Sequence, residues 1–160
     1  MAMQTLLTLS AGQTMFATEG SAHVIMPLGP DQLVETAFGQ GRPHAAQLET
    51  AINLVEDALM ATGLRAMPRG ALVADARLLH LALGVIDAPV CLTLAQVERR
   101  YQDIAHAAQR LPSVPVSDLA PLPLAVLILV RECMHHLGYS ELVLVKDQTH
   151  AEPACAPQRQ

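Results

Sequence analysis

Apolar and polar positions alternate in short runs along the first 29 residues, and glycine interrupts them. Segments 5–9, 14–18 and 22–26 are separated by Gly12, Gly20 and Gly29. Short runs between turn residues at this spacing predict a small β-meander, closed by Pro27 and Pro30. Beyond that point the period lengthens. Asp31 suits the N-cap of a short helix over 32–38, which the run Gly39-Gln40-Gly41-Arg42-Pro43 breaks. Pro43 fits the first turn of a long helix over 44–62, with Gly63 at its C-terminal end. Leu48, Ala51, Ile52, Val55, Ala58 and Leu59 give that helix one apolar stripe.

The second half alternates between the two periods. Residues 70–74 suit a short strand, and Asp75 suits the cap of a largely apolar helix over 76–83, ended by Gly84. Residues 88–92 read as an irregular or short extended connection. Thr93 and Gln96 have capping-box spacing. Behind them Leu94, Val97, Tyr101, Ile104, Ala108 and Leu111 recur in steps of three and four. The proline-rich stretch 112–123 predicts a loop, and an apolar helix over 122–137 ends at Gly138. Residues 141–146 predict a strand with four consecutive apolar positions, the mark of a sheet interior. The expected fold class is therefore α+β: an N-terminal β-meander joined by a C-terminal strand, packed against four to five helices that outnumber the strands. One domain is expected over 1–146, with a polar, disordered tail over 147–160.

Composition narrows the function classes. The 160 residues are 51% hydrophobic, yet there are only two Tyr, two Phe and no Trp. The core must be aliphatic, and aromatic stacking platforms are excluded. Net charge is -5, with ten basic residues scattered along the chain. No basic stripe is present to neutralise phosphates or anionic headgroups, so neither nucleic acid nor a membrane is expected as partner. The three cysteines, Cys91, Cys133 and Cys155, are odd in number and widely spaced. That is no disulfide framework and fits a reducing compartment. The first residues lack the basic segment of a secretory leader. The longest apolar run, 124–130, is far short of the ~20 residues that span a bilayer. A bacterial, cytoplasmic protein is expected.

The chemistry-bearing residues gather near the end of the 122–137 helix. Arg131, Glu132, His135 and His136 share one arc, and Val130, Cys133, Met134 and Leu137 lie opposite. Glu132 reaches His135 at i+3 and His136 at i+4. Glu-x-x-His is also a ligand spacing of di-iron carboxylate bundles. A second half-site, Asp103-x-x-His106, faces away from its helix's apolar stripe, and Glu49 and Glu56 sit to the side of theirs. The patch is therefore expected to be a charged helix end favoured by the helix dipole, with no metal and no cofactor. Gly39 and Gly41 could form an anion-binding nest, though the Lys-Ser/Thr of a P-loop is missing. Asp75 follows a strand, where α/β enzymes place catalytic carboxylates, but an N-cap role also accounts for it. Gly-x-Ser-x-Gly, His-Glu-x-x-His and Cys-x-x-Cys do not occur.

Two functions follow. The 122–137 helix is apolar all round for two turns, so it is either central or covered by a partner. Leu124, Leu127 and Ile128 are accordingly the expected interface of a homodimer. The first reading is then a non-catalytic accessory or protein-interaction protein with an unknown protein partner. The alternative is a small metal-dependent or acid–base enzyme using Glu132, His135 and His136. Carboxylates or histidines from another element converging on that helix end would favour the second.

Overall fold

The computed structural model describes residues 3–40, 43–64, 70–84, 89–110 and 120–146. Three N-terminal strands, β1 (Gln4–Ser10), β2 (Gln13–Thr18) and β3 (Val24–Met26), form the expected antiparallel meander. The β1–β2 hairpin closes through Ala11 and Gly12, with Ser10 opposite Gln13. A single helical turn, α1 (Pro30–Leu33), runs on into a wider π-helical turn over Val34–Phe38. Next come α2 (Ala45–Ala61), β4 (Ala71–Asp75), α3 (Ala76–Leu83), β5 (Val90–Thr93), α4 (Leu94–Arg110), α5 (Pro121–Leu137) and β6 (Glu141–Val145).

The fold class is α+β, built on one mixed six-stranded sheet in the order β3-β2-β1-β4-β6-β5. β1, β4 and β6 run parallel, and the flanking strands are antiparallel to them. The C-terminal strand enters the same sheet as the meander, but β4 stands between β1 and β6. Among the described residues strands number six and helices five, so helices do not outnumber strands. The difference arises at 90–93, too short a run to declare itself a strand until β6 pairs with it antiparallel.

Helix limits follow the capping residues. Asp75 accepts from the Arg77 N–H at 2.8 Å at the start of α3, and Gly84 ends it in the left-handed region. Thr93 and Gln96 exchange hydrogen bonds at the start of α4, and Gly138 ends α5 with a φ of 79°. α5 is the centre of the molecule, in contact with α1, α2, α3 and α4. Residues 124–130 are all buried, and Leu124, Leu127 and Ile128 are 0% exposed within the single chain. Each such aliphatic side chain contributes ~1.5–3 kcal/mol by leaving water. The apolar surface assigned to a homodimer interface is therefore spent inside the monomer, and the helix is central rather than covered by a partner.

A buried polar chain ties the end of α5 to the meander. The Tyr139 hydroxyl donates to Thr5 Oγ1 at 2.8 Å, and Thr5 Oγ1 lies 2.9 Å from Thr18 Oγ1. Cys133 is a buried free thiol, and burial pushes it up to about 12, so it is inert. Segments 111–119 and 147–160, where a loop and a disordered tail are expected, lie outside the described residues.

Candidate functional site

Sheet topology singles out one place for a ligand. From β1 the chain moves outward through β2 and β3, then returns to the opposite side of β1 as β4. In open α/β sheets ligands settle outside the carboxyl ends of parallel strands at such a reversal. A crevice of about 360 Å³ lies there, lined by Leu7, Thr8 and Leu9 at the end of β1, Ala74 and Asp75 at the end of β4, and Arg77, Leu78 and Leu79 of α3. Sequence and topology meet at Asp75, the last residue of β4 and the cap of α3.

The crevice carries one anion and one cation in contact. Arg77 Nε approaches both Asp75 oxygens, at 3.1 and 3.0 Å, and Nη2 lies 2.5 Å from Oδ2. The Arg77 side chain holds the Asp75 carboxyl below the usual carboxylate range, so Asp75 is ionised at neutral pH. The Arg77 side chain is 78% exposed and Asp75 only 14%. A guanidinium presented to solvent beside a fixed carboxylate suits recognition of a phosphate oxygen, with the carboxylate placed to accept a hydrogen bond from water. Sequence reasoning weighed Asp75 but passed over Arg77 and Thr8. The strand–Asp–helix succession was the signal that could have found them.

The residues singled out from sequence lie elsewhere. α5 enters β6 at its C-terminal end, so Arg131, Glu132, His135 and His136 sit at the opposite, amino end of the parallel strands. Arg131 forms an ion pair with Glu98 of α4, at 2.6 Å from Nε to Oε2, and another with Glu132. Its guanidinium also stacks 4.4 Å above the Tyr101 ring. Glu132, expected in a charged patch at the helix end, is 1% exposed. Burial raises its pKa, with Arg131 and His136 opposing. Glu56 of α2 reaches His136 Nε2 at 3.1 Å, and Glu132 Oε2 lies 3.3 Å from the same nitrogen. A carboxylate from a second element thus converges on this helix end, which the sequence reading of Glu56 did not expect. His135 is exposed and meets His136 only edge to face. Asp103 and His106 are exposed, as their place off the apolar stripe implied.

Of the two glycines weighed as a nest, Gly39 alone lies among the described residues. The Gly39 N–H is already bonded to Val34 O at 3.0 Å, and Gly41 lies outside the described residues. Gly39 ends the π-helical turn with a positive φ of 63°.

The chain shares its fold with solved structures of Ppx/GppA and exopolyphosphatase-like proteins. An exopolyphosphatase-like protein superposes with a TM-score of 0.68 at 10% identity, over 91% of this chain and 55% of that one. The Aquifex aeolicus Ppx/GppA family member gives 0.66 at 16% identity, over 90% and 52%. An exopolyphosphatase from Cytophaga hutchinsonii gives 0.61 at 11%, over 90% and 53%. The chain thus spans about half the length of these neighbours. No protein-family model matches the sequence, and no curated protein is similar to it.

The likeness to enzymes overturns the reading of this chain as a non-catalytic accessory or protein-interaction protein that self-associates through α5. The burial of Leu124, Leu127 and Ile128 removes the surface on which that reading stood. Among the described residues no helix is long and apolar enough to cross a membrane.

Proposed function

We propose that this chain is the phosphate-facing part of a phosphohydrolase acting on phosphoanhydride or phosphate-ester bonds, with its site in the crevice between the carboxyl ends of β1 and β4. The observation that carries the proposal is the position of the Asp75–Arg77 pair, at the topological reversal of a sheet shared with exopolyphosphatase structures. Arg77 takes the roles open to a guanidinium: it binds phosphate oxygens and balances charge gathering on them. Asp75, kept ionised, orients an attacking water by accepting its hydrogen bond. Thr8 adds a hydroxyl at the β1 wall. The chain's net charge of -5 disfavours a polyanion at long range, so binding depends on this local cation. The proposed setting is the cytoplasm, as composition suggests.

The test is phosphate release from tripolyphosphate and long-chain polyphosphate by the purified chain with Mg²⁺, together with calorimetric binding of tripolyphosphate. R77A is expected to abolish binding. D75N is expected to keep binding and lose turnover. Absence of phosphate release, together with binding indifferent to R77A, would overturn the proposal.

A further inference from the structure

Glu56, Glu132 and His136 form a second constellation, remote from the crevice and independent of the phosphate reading. Two come from α5 at i and i+4, which stacks their side chains on one face. The third comes from α2, 80 positions away in sequence from His136. Their donor atoms all lie within 4.8 Å of one another.

The spacing is that of a coordination sphere. Two donors bound to one zinc at ~2.0–2.1 Å and the tetrahedral angle stand ~3.3 Å apart. His136 Nε2 is 3.1 Å from Glu56 Oε1 and 3.3 Å from Glu132 Oε2, so two edges of the tetrahedron are already formed. The charge fits as well. Glu98 and Glu132 pair with the Arg131 guanidinium and Glu56 with His136, so three carboxylates stand here against one permanent cation. Orientation is set from behind: Glu132 turns one oxygen to Arg131, itself held by Glu98, and the other to His136. Such support aims metal ligands. His136 also lines a pocket of about 390 Å³ with Leu59, Met60, Leu64 and Leu137, which gives a cation a route in and a fourth position for water.

We propose that Glu56, Glu132 and His136 bind one divalent cation of the zinc type, joining α2 to the end of α5 and leaving one coordination position open to the adjoining pocket. Imidazole with two carboxylates and no thiolate is a borderline donor set that suits zinc over calcium or magnesium.

The experiment uses the full chain, dialysed against chelator and titrated with ZnCl2 by calorimetry and with CoCl2 by visible absorption. One equivalent is expected, with the intense visible bands of four-coordinate cobalt. Loss of either E56Q or H136Q ligand function should weaken zinc by more than ~100-fold, while loss of the supporting residue in E98Q falls within ~10–100-fold. H106Q, on the far exposed face of α4, should bind as the native protein does. Should H136Q fail to fold by circular dichroism, E56Q decides alone, since Glu56 sits at a part-exposed position. Zinc binding that survives E56Q unchanged, or a stoichiometry well below one, would overturn the proposal. Neither readout depends on phosphate turnover, so this site and the crevice fail or stand separately.

Discussion

Removing the Thr5 hydroxyl should cost more than removing the Tyr139 hydroxyl that bonds to it. Tyr139 is 1% exposed, Thr5 1% and Thr18 5%, so water reaches none of the three. In Y139F the chain shortens by one bond, but Thr5 and Thr18 still satisfy each other at 2.9 Å. The expected loss is one net hydrogen bond, about 1 kcal/mol. T5V keeps the shape of the side chain but strands the Tyr139 and Thr18 hydroxyls together. Each buried orphan costs ~1–3 kcal/mol, so T5V should lose about 2–6 kcal/mol. For a domain of this size each kcal/mol lowers Tm by ~2–4 °C. The order of substitution matters too. Y139F in the T5V background removes a stranded hydroxyl and should be neutral or stabilising, a reversal of its sign in the native chain. Urea unfolding followed by circular dichroism measures all four corners of the cycle, with m unchanged if only the native state is affected. If T5V proved no more destabilising than Y139F within ~0.5 kcal/mol, the argument from orphaned groups would be refuted.

Two further outcomes follow from single contacts. A Cβ on Gly29 would stand 2.1 Å from Ser10 O and 2.5 Å from Ala11 O, both backbone atoms, so G29A should lose several kcal/mol, at least the ~1–3 typical of overpacking, and thermal melts would show it. Arg131 holds the Glu98 carboxyl below its ordinary value, chiefly through their hydrogen bond. That stability is fully present above the unfolded pKa of ~4.3 and is lost as pH falls through the folded value. E98Q should flatten the acid limb of the stability–pH curve, by no more than ~1 kcal/mol for a part-exposed pair, and an acid limb as steep as the native one would contradict the assignment.

The helices were legible because their signals are local. Asp75, Thr93 with Gln96, Gly84 and Gly138 mark ends through contacts within a few residues, and the stripes of α2 and α4 recur every turn. Sheet order was not legible in the same way. β4 pairs with residue 4 on one side and residue 141 on the other, and nothing near 71–75 records either neighbour. The candidate site divides along the same line. Glu132 and His136 were visible as an i, i+4 pair, but a helical wheel shows only which residues share an arc, not what covers it. α2 and α4 cover this one, which buries Glu132 and brings Glu56 to His136. A charged Arg-Glu pair inside an otherwise apolar helix was the hint that partners had to come from neighbouring elements. Arg77 was marked only by its place just after the strand–Asp–helix junction, since its significance comes from standing where two distant strands end.

The place of β6 has a consequence for the growing chain. Among the described residues β5 has one neighbour in the sheet, and that neighbour is synthesised almost fifty residues after it. Until Val145 leaves the ribosome, β4 has an open edge and β5 has nothing to pair with, whereas the β1–β2 hairpin can close as soon as it emerges. The long return of β4 to β1 and of β6 to β4 raises the average sequence separation of the contacts, which slows folding. A chain stopped short of residue 141 would carry a central apolar strand with one side bare, an edge apt to pair with whatever strand it meets first.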